Sequence, residues 1–428
     1  MTRRQRLRLV LPLLALSMVL GSGCRTLRPV VIHEGPLSDA DLTMAWAKPR
    51  NQNASNFAEQ LRIEAALEDG GHLSTKLLVT NISKYDGRAE LLAKLELPDG
   101  TIYRVKLHKN RGEWTFGTGR FDVKVGDCTI VASVGKVTVH VVGDDFVLDY
   151  TIESELPALR PAGGLIDFGG AFYVTTVPVP RGKLTGTLVA RAGAGEHGKG
   201  EPDESDADDG GPAKAEPPKV TRGDAEPADA AEGDAPDPGA GQESAGDAAG
   251  DEETVDFEGA AYVEHRATDL APYRMASKWF KMSEFTTERT VIVSAFQRTA
   301  ELGGDIQGWA LIADDDGLAA YEDNLKVTPR EVTLDPNTGY EVPGLVFLES
   351  KSGAGFRGVV KTTLPTERRD DLARMSTLER LVVRRVMKPW TYLFDNAEYL
   401  FKVQPAADAE EVPWRGQTRF EYQQLNPD

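Results

Sequence analysis

The chain has 428 residues, a formal charge of −18 and two cysteines, Cys24 and Cys128. So acidic a balance argues against nucleic-acid binding, which needs clustered cations to replace phosphate counterions. If Cys24 carries a lipid, Cys128 is a single thiol, which excludes a disulfide framework and a structural zinc site built on paired cysteines.

Residues 1–23 read as a secretory signal. Arg3, Arg4, Arg6 and Arg8 form a basic head, Leu9 to Leu20 an apolar run and Gly21-Ser22-Gly23 a small-residue end. The apolar run is too short to span a bilayer as a stable helix. Small residues directly before Cys24 resemble a lipobox, with Gly21 departing from the pattern where a leucine is expected. Lipidation at Cys24 would anchor the protein to a membrane of the cell envelope, facing the periplasm or exterior. The alternatives are ordinary signal cleavage or pairing of Cys24 with Cys128. A tether at 24–36 would lead into the first domain.

From Phe57 onward the pattern is antiparallel β. Phe57, Glu59, Leu61, Ile63, Ala65 and Leu67 share one parity, and Asp69-Gly70-Gly71 turns the chain into Leu73, Thr75, Leu77 and Val79. Pro98-Asp99-Gly100 and Gly143-Asp144-Asp145 separate further period-2 runs. Residues 193–253 hold 19 acidic and 4 basic residues and no aromatic, leaving about −7 for the rest of the mature chain. That composition predicts a disordered insertion. Strand-like runs flank it, Gly182–Ala190 before and Asp256–Arg266 after, so the tract reads as the inflated loop of a hairpin. In the second run His265 shares parity with Phe257, Ala261 and Val263 and should face inward, whereas Tyr262 and Glu264 should face out. Alternation resumes after Phe285 at Val291–Phe296, Gln307–Ala313, Gly344–Leu348 and Phe356–Thr363. One amphipathic helix is expected from Leu372 to Val386, stopped by Pro389 and carrying Arg384, Arg385 and Lys388 at its end.

Chemistry-bearing motifs are sparse. Two Gly-x-Gly-x-x-Gly strings, Gly193–Gly198 and Gly353–Gly358, do not sit between a strand and a helix and read as turns. Asp314-Asp315-Asp316-Gly317 lacks the later ligands of a calcium loop. No cofactor and no metal is expected. His265 is the one weak catalytic candidate, as a histidine on an apolar face.

"VPVPRGKLTGTL" (177–188), "FEGAAYVEHRATD" (257–269) and "APYRMASKWFKMSEF" (271–285) resemble the middle of the two-barrel lipocalin-like proteins. That group includes AttH-type proteins, hydroxyneurosporene synthase, tocopherol cyclase and the survival-factor lipocalins. The motif positions are Pro180–Gly186, then Gly259, Tyr262, Glu264 and His265, then Trp279 and Phe280. "WRGQTRFEYQQLN" (414–426) is similar to the closing strand. Glu264 stands where an aspartate is usual, and the tryptophan-rich entry of the hydratases is absent near Trp46–Leu61.

The resemblance implies an all-β fold of tandem lipocalin-like antiparallel barrels, a first from 37 to 285 interrupted by 193–253 and a second from 286 to 428. The leading expectation is a monomeric lipoprotein holding a lipid or isoprenoid-like ligand inside a barrel, lined by Tyr262, His265, Trp279 and Trp309. Alternatives are a cofactor-independent cyclase or hydratase acting on an apolar substrate, and a structural envelope lipoprotein.

Overall fold

The structure is a computed structural model that describes residues 30–31, 36–82, 85–161, 164–191, 196–197, 252–351, 355–373, 380–381, 383–384, 387, 389–404 and 409–425. The signal and Cys24 lie outside these residues, as does nearly all of the acidic tract.

Two antiparallel sheets roll into two nearly closed barrels. In the first, the strand order is Thr101–Lys109, Arg88–Glu96, His72–Thr80, Ala58–Leu67, Glu252–Thr268, Phe172–Arg191, Phe146–Ser154, Lys136–Val142, Cys128–Ser133, Phe121–Val125 and Trp114–Phe116. Only the two-residue strand Glu196–His197 pairs beyond Thr101–Lys109, and a short turn joins Thr101–Lys109 to Trp114–Phe116 at the other edge, so the sheet must curl to bring its edges together. Alternate residues point inward, as the period of Ala58–Leu67 shows: Glu59, Leu61, Ile63, Ala65 and Leu67 are buried and the intervening residues less so.

The second barrel follows the same logic. Its order is Gly317–Glu322, Ile306–Asp314, Arg289–Arg298, Ala276–Phe285, Val412–Gln424, Trp390–Val403, Phe356–Lys361, Leu345–Ser350 and Leu325–Arg330. Here the edge strands are consecutive in the chain. Ala276–Phe285 pairs with Arg289–Arg298 and with Val412–Gln424. The Thr286–Arg289 turn, closed by the Thr286 amide donating to the Arg289 carbonyl, is a hairpin inside the second barrel. The crossing between barrels therefore falls at 269–275.

Phe172–Arg191 and Glu252–Thr268 pair from Tyr173↔Thr268 to Arg191↔Glu252, so the strands on either side of the acidic tract are direct neighbours. Their ladder slips twice between Thr176 and Gly182, where Pro178 and Pro180 bring no backbone donor. Close packing explains Gly259, at which a Cβ would stand 2.2 Å from the Ala66 carbonyl oxygen. Of the expected helix, residues 380, 381 and 383 are helical, with Arg384 and Met387 amides donating to Arg380 and Val383 carbonyls. Leu372, Ala373 and Arg384 lie in turns, so the first expected residues are not helical, and 374–379, 382 and 385–386 lie outside the described residues.

Candidate functional site

Both barrel interiors are packed with side chains. Leu61, Ile63, Leu77, Leu91, Val139 and Ile152 are among those that fill the first, and Phe280, Phe394, Tyr399 and Phe420 among those that fill the second. The segment before the first strand closes one end of its barrel, with Leu42, Met44 and Trp46 packed into the same core.

That closure is polar at one point. Ala45 and Trp46 amides donate to Glu59 Oε1 and Oε2, each at 2.8 Å. His265 Nε2 lies 2.8 Å from Glu59 Oε1, with the two residues 1% and 2% exposed respectively. The other His265 ring nitrogen has no hydrogen-bond partner among the described residues. Phe121 packs edge-on to the imidazole at 5.5 Å. His265 thus faces inward as its parity implies, but it meets a carboxylate and packed rings instead of a cavity.

Two cavities among the described residues lie between the barrels. The larger, of about 310 Å³, is walled by Leu78, Ile82 and Tyr173 of the first barrel and by Met275, Trp279 and Leu425 of the second. Strand parity explains this placement. Phe280 and Met282 point into the second barrel, so Trp279 and Lys281 point out of it toward the first. Trp279 packs against Phe296 at 5.5 Å and Tyr173 at 6.2 Å, and Arg266 lies over its ring at 5.9 Å. Beside the cavity, Ile166, Phe168 and Tyr173 pack on Met275, Phe296 and Leu425. A further cluster joins Val177 and Tyr262 to Ile292, Trp309 and Leu311.

The four expected lining residues are therefore not brought together. Trp279 lines the cavity. Tyr262 and Trp309 stand in the neighbouring inter-barrel cluster, and His265 is on the inward face of its strand. The strand carrying Tyr262, Glu264 and His265 is buried on both faces, because the second barrel covers its outward side.

Charged groups line the same interface. Arg266 Nη2 pairs with Glu264 at 2.7 Å and Arg62 Nε with Glu64 at 2.6 Å. Burial pushes the Glu64 carboxyl up, but Arg62 and His72 outweigh it and hold it at about 2. Lys281 makes no hydrogen bond or ion pair among the described residues. Burial pushes its ammonium down, Arg62 and Arg266 push the same way, and Glu264 and Glu421 oppose them, leaving it at about 8. Lys76 lines the same space.

A lysine whose folded pKa is depressed costs stability below about pH 8, and the cost fades as pH approaches the ordinary lysine value of about 10.4. Without ligand, the wild-type protein is expected to gain stability relative to Lys281→Met as pH rises from 8 to 10.4. Urea unfolding across that range measures it; parallel curves for the two proteins would contradict the assignment.

Lys281, Glu59, Arg62 and Tyr173 were not singled out by sequence reading. Lys281 shares the parity of Trp279, and Glu59 interrupts an apolar face, so both carried a local signal. Their partners did not.

No protein-family model matches the chain, and no curated protein matches it. Among solved structures it is similar to AttH of Nitrosomonas europaea, at 12% identity and TM-score 0.44, over 92% of this chain and 98% of that one. It is similar to CghA at 12% identity and TM-score 0.48, over 93% and 95%. Kievitone hydratase of Nectria haematococca gives 11% identity and TM-score 0.41, over 91% and 98%. Likeness at this level supports no statement about activity, and the two-barrel architecture rests on the strand pairings themselves.

Proposed function

We propose that the protein is an extracytoplasmic lipoprotein that binds a lipid or isoprenoid-like molecule in the cleft between its barrels. The observation that carries this reading is the inter-barrel cavity of about 310 Å³, walled largely by apolar and aromatic side chains. Ligand pockets begin at about 300 Å³, and burial of apolar surface drives occupancy. The side chains packed inside each barrel favour the space between the two as the place for a ligand.

The N-terminal side supports a membrane-proximal cleft. Val30 and Val31 pair with Asp167 and Ile166, and Ile166 belongs to the apolar cluster beside the cavity. Cys24 precedes Val30 by six residues, an extended reach of about 20 Å. A lipid on Cys24 would hold the cleft close to a bilayer that stores apolar molecules.

The test is native mass spectrometry of protein extracted gently from membranes. Wild-type protein should carry a co-purifying apolar molecule. Ala58→Trp, which fills the cavity from the outward face of its strand, should lose it while the melting temperature stays within a few degrees. Wild-type protein that is empty and binds no apolar probe would overturn the proposal.

A further inference from the structure

We propose that the ligand carries an anionic head, a phosphate or carboxylate, held in a second cavity beside the apolar one. This rests on the apolar-cleft reading and adds the chemical class of the ligand. The second cavity is about 130 Å³ and shares Gln60, Lys76, Lys281 and Glu421 with the first as a common wall. Its volume is several times the roughly 30 Å³ that a water occupies in the liquid, room enough for a phosphate or carboxylate.

Its lining runs against the composition of the chain. In a protein of charge −18, seven lysines and arginines and only two carboxylates, Glu64 and Glu421, surround this space. On the first barrel, Arg62 is directly opposite Lys76, and Lys94 directly opposite Arg104. Lys106 continues the first of these rows beyond Leu92. Like charges facing each other across a ladder concentrate positive potential on this face, although each of these four side chains also has partners within the protein. From the second barrel come Lys281 and Arg419.

Some of this charge is already answered. Arg62 pairs with Glu64, Lys94 with Glu96 at 3.2 Å, and Arg419 lies 3.6 Å from Asp395. Lys281 is not: it stands at the junction of the two cavities with no ion pair or hydrogen bond among the described residues. An amphiphile lying along the cleft would bury its chain against Tyr173, Met275 and Trp279 and set its anion beside Lys281, between Arg62 and Arg419. A charge-assisted bond there is worth about twice a neutral one.

The test uses the whole protein and probes below their micelle concentrations: dodecyl phosphate, dodecanoate, dodecanol and inorganic phosphate, measured by calorimetry. Both charged alkyl probes should bind at least about tenfold more tightly than dodecanol. Lys281→Gln should weaken them about tenfold and dodecanol by much less. Lys106→Glu, an exposed substitution at the rim, gives a second variant and should weaken the charged probes alone.

Equal binding of charged and neutral probes would overturn the anionic head while leaving the apolar cleft standing. Phosphate binding without alkyl binding would uphold the anion subsite as one for a free ion and remove the apolar reading. Binding of none would overturn both.

Discussion

Glu59→Ala is expected to destabilise the protein by about 3–5 kcal/mol, because it removes the acceptor of two amides and the hydrogen-bond partner of a buried imidazole, at about 1–3 kcal/mol for each buried group left unsatisfied. The loss goes beyond the contact with His265. Ala45 and Trp46 amides both end on this carboxylate, so the segment closing the first barrel loses its polar fastening and two buried donors are left unpaired. Replacing the pair together, Glu59→Leu with His265→Phe, should recover only part of the stability, because the two amides still lack an acceptor. Urea unfolding followed by tryptophan fluorescence measures both variants, with Trp46 in the affected segment. A single-mutant loss below about 1 kcal/mol would show that the amides find another partner.

The second large effect is expected at Arg181. It is 3% exposed and leaves the first barrel where Pro178 and Pro180 interrupt the ladder. Its guanidinium donates to the Thr287 carbonyl, to the Thr286 carbonyl at 3.5 Å and to Asp315 at 2.5 Å, all in the second barrel. Arg181→Met keeps the length and removes every donor. Truncating a buried hydrogen-bonded charge across an interface costs about 2–5 kcal/mol. Here the loss should fall on the coupling of the barrels. The calorimetric transition should split in two, and small-angle scattering should report a larger radius of gyration. A single transition at the wild-type temperature would contradict the role of Arg181 as the clasp.

The difference between what was legible and what was not follows from the period of a strand. Period-2 alternation places Tyr262 outward and His265 inward, and the structure agrees. It also aligns Gly182–Ala190 with Asp256–Arg266 across the acidic tract, and those strands pair. Alternation separates two faces without saying what covers each. Tyr262, Trp279, Lys281 and Trp309 all face outward, and only the docking of one barrel on the other makes that face an interior. The same limit hid the partner of Glu59, which sits 206 positions later in the chain. A hairpin turn and a domain boundary carry the same turn residues, so the sequence around Phe285 does not distinguish the two.

We propose that an apolar ligand sits between the barrels and not within one. Photo-crosslinking with a diazirine-bearing fatty acyl probe, mapped by mass spectrometry, distinguishes the two positions. Adducts are expected on Tyr173, Met275, Trp279 and Leu425, and their loss is expected in Ala58→Trp. Adducts on inward-facing residues such as Leu61 or Val139, or scattered over the outer surface, would contradict it.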